Sequence, residues 1–504
     1  MKKLLLASLL LVSFSFVRAS YILVPMDNAQ TNHLKAYGIA FQSLKAQNTV
    51  QWLLNYRGGA FLLAENDANE ALLKTAGVAF DRLDDNTTQG IITTILTGNN
   101  GMNLVTMSRL PKIAVYTPPY DRHYDDAVIL ALNYAGIDYT PIYDSEVLSQ
   151  DLSQYDWIHL DHEDFTGQFN KWQSMYAGAG WFKSQVAYSD SIAKACGYAK
   201  SSQMKLAVAK KLRSFVENGG QLFTMCAGTE TLDVALAAEG VDIVPWADGD
   251  AADSSANSKL NFSNTFAFQN FTVNTDAYSY DHSNMGVRQV TKSPQSTFTV
   301  STVDAKLDLV GAMLVQNHQT TIKEFLGNTI AFKKEFIKPS VQVLGGTAAD
   351  VKYLHGQRGA GYFTFYAGHD PECYMHLVGD PATNLDKYKT SPGYRLILNN
   401  VLSPAVTDNT LGVSNLSLVN VKVYPNPVAT YFSVEVSSSD AKQAAVSVYN
   451  LSGQVFITDN VSSDNGTFSR QYNTENLAAG LYIVEISNAR GAISKTVLTK
   501  AGNN

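Results

Sequence analysis

Gly219-Gly220-Gln221-Leu222-Phe223-Thr224-Met225-Cys226-Ala227-Gly228-Thr229-Glu230 opens on a turn, continues as a short apolar run and ends in a cysteine. The following residues, Thr231-Leu232-Asp233-Val234-Ala235-Leu236-Ala237-Ala238, have the spacing of a helix. A cysteine on a sharp strand-to-helix turn has its side chain pushed out of the sheet, beside the N–H groups that begin the helix. Those groups lower a thiol pKa and hold an oxyanion. The pattern therefore predicts a nucleophile at Cys226, with Ala227 and Gly228 at the oxyanion. The alternative is a buried cysteine packing as a small apolar side chain.

Working outward, strand-like and helix-like runs alternate. Segments 113–116, 139–143 and 157–160 read as strands, and 124–135 and 206–216 as helices. This alternation predicts an α/β domain over 111–403, a parallel sheet flanked by helices, with ligands at the carboxyl ends of its strands. A polar stretch at about 246–345, strand-like around Phe298-Thr299-Val300, reads as a β-rich insertion. Regularity returns in a strand over 361–368 that runs into His369-Asp370-Pro371-Glu372, and a closing helix is expected over 394–401. Residues 21–110 form an N-terminal α/β unit, either a second layer or extra strands of the same sheet.

A cysteine nucleophile needs a base, and the base needs an orienting group. Among nine histidines, His369 is the preferred partner because it also follows a sheet strand. Glu372 is favoured over Asp370 as the orienting carboxylate, since Pro371 can fold it back toward the ring. The competing reading is a plain turn with Asp370 as a cap.

Asp161-His162-Glu163-Asp164 ends another strand and would face the same crevice. Short-spaced histidines and carboxylates suit zinc. No third histidine has a matching spacing, so no metal is expected; His162 and Glu163 are read as substrate contacts, with Gly167 as a further oxyanion donor, or the cluster as a satisfied structural network. Asp125-Asp126 reads as the acidic start of a helix, and Arg57-Gly58-Gly59 as a turn able to meet a carboxylate. No phosphate loop or dinucleotide fingerprint is present, so no cofactor is expected.

The chain ends carry their own signals. Met1-Lys2-Lys3, the apolar run 4–17 and small residues near Ala19 read as a signal peptide over residues 1–20. Of the 504 residues, 45% are apolar and 16% charged, which fits globular domains. A net charge of −7 without a basic cluster argues against nucleic acid. Three cysteines leave at least one free thiol. A polar linker is expected over 404–418, then a small β-sandwich over 419–504 built of short alternating strands.

That last segment carries Tyr424-Pro425-Asn426-Pro427, Leu477-Ala478-Ala479-Gly480-Leu481-Tyr482-Ile483-Val484 and Lys495-Thr496-Val497-Leu498-Thr499-Lys500. It resembles the type A C-terminal sorting domain of the type IX secretion system of Bacteroidota. The resemblance implies export by that machinery, a secreted or cell-surface location, and a domain that is then removed or used for attachment. The strand–Cys–helix and strand–Gly–His–x–Pro–Glu segments together resemble the class I glutamine amidotransferase-like superfamily, with its flavodoxin-like sheet and its PfpI-like and ThuA-like members. This implies Cys226 as nucleophile, His369 as base and Glu372 as orienter. The turn Met225-Cys226-Ala227-Gly228-Thr229 lacks the Gly-x-Cys-x-Gly of glutamine-hydrolysing members, and Asp370 interrupts His-Pro-Glu. The region from Tyr21-Ile22-Leu23-Val24-Pro25 to Glu372 also resembles exported Bacteroidota proteins of the asparagine synthetase B type, without that synthetase's N-terminal cysteine or pyrophosphate loop.

The expectation is an exported cysteine-dependent hydrolase of amide or peptide bonds. The alternatives are a non-catalytic ThuA-like module binding a sugar or peptide, and a glutamine-hydrolysing protein.

Overall fold

The structure is a computed structural model that describes residues 20–120, 125–245, 250–288, 293–375, 377, 379–406, 420–437, 442–451, 453–488 and 491–502. The signal peptide and most of the linker expected from the sequence lie outside these residues. The first unit contains β1 (Tyr21–Val24), α1 (His33–Lys45), β2 (Val50–Leu54), β3 (Ala60–Ala64), α2 (Asp67–Ala76), β4 (Asp81–Leu83), α3 (Asp85–Thr97) and β5 (Asn103–Met107). Its strands form a separate antiparallel sheet in the order β4-β1-β3-β2-β5. It is thus a layer of its own, not extra strands of the central sheet. Side-chain caps start its helices: Asn32 accepts from the Lys35 amide and Asp84 from the Thr87 amide.

The central unit begins with β6 (Ile113–Tyr116), α4 (Ala127–Ala135), β7 (Thr140–Ile142), α5 (Asp144–Ser149), β8 (Trp157–Leu160), α6 (Asn170–Tyr176), α7 (Gly180–Ala195), α8 (Ser201–Glu217), β9 (Gln221–Met225) and α9 (Gly228–Ala237). It continues with β10 (Gly286–Val287), β11 (Thr297–Val300), α10 (Leu309–Val315), β12 (Thr321–Lys323), β13 (Ala331–Lys333), β14 (Gln342–Gly346), β15 (Asp350–Arg358), β16 (Gly361–Tyr366) and α11 (Pro392–Leu402). Five strands pair in parallel in the order β7-β6-β8-β9-β16. Beyond β16, strands β15, β14, β11 and β12 add on antiparallel. The polar stretch at 246–345 therefore does not stand apart: β11, β12 and β14 widen the central sheet, and β13 pairs with β15.

Both faces of this sheet are covered because its strands are apolar on both sides. Ile113, Val115, Trp157, Phe223 and Tyr366 pack with α1, α4 and α11 and with one face of the first sheet. Tyr116, Ile158, Leu160, Leu222 and Phe363 pack with α8 and α9. Arg395 of α11 locks the two units by donating to the carbonyls of Met26 (2.9 Å) and Gly58 (2.7 Å).

The C-terminal unit consists of β17 (Asn420–Tyr424), β18 (Tyr431–Ser437), β19 (Gln443–Asn450), β20 (Val455–Ser462), β21 (Thr467–Asn473), β22 (Gly480–Asn488) and β23 (Gly491–Lys500). Sheets β17-β18-β21 and β20-β19-β22-β23 enclose a core that includes Phe432, Val434, Val446, Val484 and Ile486. Tyr449, Leu451, Ile483 and Val497 of this unit pack against Leu23, Leu53, Leu62 and Leu104 on the outer face of the first sheet and against Ile92 and Ile95 of α3.

Candidate functional site

Strands β8, β9 and β16 are adjacent and parallel, so their carboxyl ends release three residues at one edge: His162, Cys226 and His369. Cys226 takes the turn from β9 into α9 with φ +52°, and His162 follows β8 with φ +28°. Non-glycine residues rarely occupy this left-handed region, and surrounding contacts must hold them there. The Cys226 amide donates to the Gly368 carbonyl (3.1 Å), which ties the cysteine turn to the residue before His369. The amides of Gly368 and His369 in turn donate to Thr329 and Leu326 of loop 326–329. Gly327 is required in that loop, because a Cβ there would sit 2.9 Å from the His369 nitrogen.

The imidazole in contact with the sulfur is that of His162. Its Nδ1 lies 3.0 Å from Cys226 Sγ, and the Asn328 amide donates to the same sulfur over 3.3 Å. Asn328 Nδ2 lies 3.2 Å from His162 Nε2, and Tyr280 donates its hydroxyl to Asn328 Oδ1 over 2.6 Å. A chain therefore runs Tyr280–Asn328–His162–Cys226. A hydroxyl can donate or accept, so Tyr280 supports either orientation of the Asn328 amide and hence either tautomer of His162. Burial raises the Tyr280 pKa, which keeps it a phenol. Its loop is pinned by the buried Lys171, whose ammonium contacts the carbonyls of Asp276, Ser279 and Asp281.

The sequence reading named His369 as base and Glu372 as its orienter; a His369 donor atom lies within 4.8 Å of Cys226 Sγ, while His162 makes the 3.0 Å contact. His369 packs beside His162, with ring centroids 5.6 Å apart and edge to face. Its Nδ1 is 3.9 Å from Asp161 Oδ1. Asp370 accepts from Tyr394 (3.0 Å), Thr383 (2.6 Å) and the Glu372 amide (2.9 Å), which makes it a brace for its own turn. Burial raises the Glu372 pKa, against a hydrogen bond with Ser391. The inserted Asp370 thus takes the inward position, and Glu372 turns to α11.

Other candidates are distributed as follows. Glu163 joins a buried group away from the sulfur, 3.5 Å from Lys205 Nζ and 3.3 Å from the Tyr143 hydroxyl. Gly167 packs against Ser202, where a Cβ would lie 2.6 Å from Cα, so it serves helix packing. His159 points to the opposite face, 3.3 Å from Asp126, which also caps α4. Arg57 pairs internally with Asp27 (2.7 Å) and Asp81 (2.8 Å). All three cysteines are free.

Electrostatically, the thiol is not poised as the turn motif suggests. Burial and then the negative charge of Asp161 push the Cys226 pKa up to about 12, while the amides of Asn328, Ala227 and Thr329 work in the opposite direction. Cys226 has 0% exposure, so desolvation outweighs the helix amides. Thr329 is held by Glu230 of α9, which accepts from Thr329 (2.9 Å), Ser283 (2.6 Å) and Arg288 (2.7 Å). A recess next to the cysteine turn is lined by Phe169, Trp172, Trp181 and Phe182 together with His162, Ala227, Asp164 and His282, but not by Cys226 itself. Donor atoms of His162, Cys226 and His369 all lie within 4.8 Å of one another, which makes them a possible ligand set for a metal.

Sequence reasoning missed Asn328 and Tyr280. Both lie in the polar stretch read as an insertion, and no local spacing links either to position 226.

Among known proteins, two solved structures of cytoplasmic proteins from Salmonella typhimurium are similar to this chain. One is 12% identical with a TM-score of 0.29, covering 58% of this chain and 98% of its own. The other is 13% identical with a TM-score of 0.30, covering 59% and 100%. No curated protein matches the sequence. No helix among the described residues is long and apolar enough to cross a membrane. Residues 422–500 match the family described as the secretion system C-terminal sorting domain, so the chain carries a type IX sorting signal and is exported by that machinery to the cell surface or beyond.

Proposed function

We propose that the protein is an exported cysteine-dependent hydrolase of amide or peptide bonds, on a flavodoxin-like scaffold of the class I amidotransferase-like kind. The observation that carries this reading is the 3.0 Å contact between Cys226 Sγ and His162 Nδ1, at the carboxyl ends of adjacent parallel strands. Numbered in chain order, the five parallel strands run 2-1-3-4-5, an arrangement in which ligands meet the carboxyl edge.

In this mechanism the resting residue is a thiol. Cys226 attacks the substrate carbonyl while His162 Nδ1 takes the thiol proton, and His162 then passes it to the leaving amine. Asn328, braced by Tyr280, holds the imidazole through Nε2. Amides near Ala227 receive the oxyanion. Water then cleaves the thioester, with His162 as base. The negative charge of Asp161 stabilises the imidazolium, and His369 packs its ring edge to face with His162.

The test is hydrolysis of a library of fluorogenic amides and peptides. The native chain should cleave at least one, and Cys226→Ala and His162→Ala should each lose about 100-fold or more. Cleavage that survives Cys226→Ala would sink the proposal.

A second reading, a binding module for a sugar or peptide, draws on the fully buried thiol and on the aromatic recess lined by His162 and Ala227. It requires saturable ligand binding that Cys226→Ala leaves intact, without turnover.

A further inference from the structure

We propose that His162, Cys226 and His369 form a three-ligand site for a thiophilic divalent cation, Zn²⁺ by its chemistry, and that filling the site switches the cysteine off. The second half rests on Cys226 being the nucleophile proposed above. The first half does not.

Three neighbouring parallel strands, β8, β9 and β16, each deliver one ligand side chain to the same edge of the sheet. The donor atoms lie within 4.8 Å of one another, and His162 Nδ1 and Cys226 Sγ are 3.0 Å apart. A tetrahedral zinc with Zn–N near 2.0–2.1 Å and Zn–S near 2.3 Å separates its ligands by roughly 3.3–3.8 Å. Adjustments of about 1 Å in side-chain position bring all three to that spacing. The two rings stand edge to face rather than stacked, at 71°, so both can aim at a common point beside the sulfur.

The donor set selects the ion. One thiolate and two imidazoles suit zinc and neighbouring transition metals, and reject Mg²⁺ and Ca²⁺, which require oxygen ligands. Three protein ligands leave a fourth position for water or an incoming group. The surroundings fit as well: Asn328 holds His162 at its other nitrogen, as such partners orient ligating histidines, and the Asp161 carboxylate stands 3.9 Å from His369 Nδ1, beyond hydrogen-bond distance. Asp161 also brings negative charge to a site that would gain a cation.

The step balances simply. The Cys226 S–H bond breaks, the sulfur lone pair forms the S–Zn bond, and the proton leaves to solvent. The lone pair that would attack a carbonyl is then committed to the metal.

The test uses the full exported chain, stripped with chelator and carrying Cys196→Ser and Cys373→Ser so that Cys226 is the sole thiol. Titration with Co²⁺ should give one equivalent of binding, with a sulfur-to-metal charge-transfer band and the intense visible bands of tetrahedral cobalt. Zn²⁺ should displace the cobalt and Mg²⁺ should not. Cys226→Ser should abolish the charge-transfer band, and His369→Gln should weaken Zn²⁺ binding at least 10-fold while circular dichroism stays native. The same titration of the chain with its native cysteines, where the band must again depend on Cys226, guards against a folding defect. No saturable binding, or binding indifferent to both Cys226 and His369, overturns the site. If the chain hydrolyses an amide, one equivalent of Zn²⁺ should suppress turnover at least 10-fold and chelator should restore it; undiminished turnover in the zinc-loaded chain overturns the switch. A chain that binds Zn²⁺ through these residues yet hydrolyses nothing when stripped of metal supports the metal site and rejects the hydrolase.

Discussion

Cys226 sits in a left-handed turn with no exposure, and its chemistry follows from that enclosure. A thiol whose pKa is pushed from 9.0 up to about 12 carries far less thiolate at pH 8 than an ordinary one. The reduction is about 1,000-fold on the logarithmic pKa scale, and burial adds a steric barrier. Iodoacetamide should therefore label Cys196 and Cys373 well before Cys226 in the native chain, with the three rates converging in denaturant. Mass-mapped labelling at pH 8 checks this, and a Cys226 that reacts first would contradict the enclosed-thiol picture. The strand–cysteine–helix turn was legible in the sequence because an apolar run, a cysteine and a helical repeat are contiguous. The imidazole that contacts its sulfur was not. His162 reaches the sulfur only because its own backbone turns left-handed after β8, and local pattern does not report that. Asn328 arrives over a sequence separation of 102 residues.

At the scale of elements, three strand ends and one loop assemble the site. Loop 326–329 fits against strand β16's exit only because Gly327 has no side chain. In Gly327→Ala the new Cβ would meet backbone at 2.9 Å and 3.0 Å, and neither atom can move alone. The expected cost is about 1–3 kcal/mol of stability, and displacement of Asn328 should lower any turnover. Chemical denaturation checks the first effect; an unchanged midpoint would show that the loop yields freely. Strand β15 offers a second test. Its His355 is buried and its pKa is depressed from 6.5 to about 4, chiefly by burial. The folded state then binds fewer protons than the unfolded chain, so this contribution to stability is present above pH 6.5 and is lost as pH falls toward 4. The size is of order 3 kcal/mol. His355→Gln should flatten the loss of urea stability between pH 6.5 and 4, and an unaltered pH profile would contradict the assignment. Alternation made the strand before Cys226 and the helix after it readable. The antiparallel strands β11, β12 and β14 were harder, because their short segments sit within polar sequence and pair over long separations.

The whole molecule stacks its layers so that the sorting unit closes the far side. Its Tyr449, Leu451, Ile483 and Val497 cover apolar side chains of the first sheet and α3. Gln51 Nε2 adds a bond to the Leu451 carbonyl at 2.7 Å. A chain ending at Val406 should expose Leu23, Leu53, Leu62, Leu104, Ile92 and Ile95, a contiguous apolar patch of the kind that binds dyes and partners. Such a chain should bind an apolar fluorescent dye more strongly and unfold at a lower temperature than the full chain; equal dye binding and equal melting would show that the contact contributes nothing. The tail's strands and sorting motifs were plain in the sequence, whereas its seat on the first sheet depends on surfaces that neither segment announces.

In the proposed mechanism Cys226 forms a covalent acyl intermediate with His162 as its base. The most direct measurement is acid-quenched reaction of the full chain with a mixture of activated peptide esters, followed by mass mapping of the adduct. The result predicted is an acyl group on Cys226 that disappears in His162→Ala and persists at reduced rate in His369→Ala. Acylation confined to Cys196 or Cys373, or acylation of Cys226 that is indifferent to His162, would contradict the account.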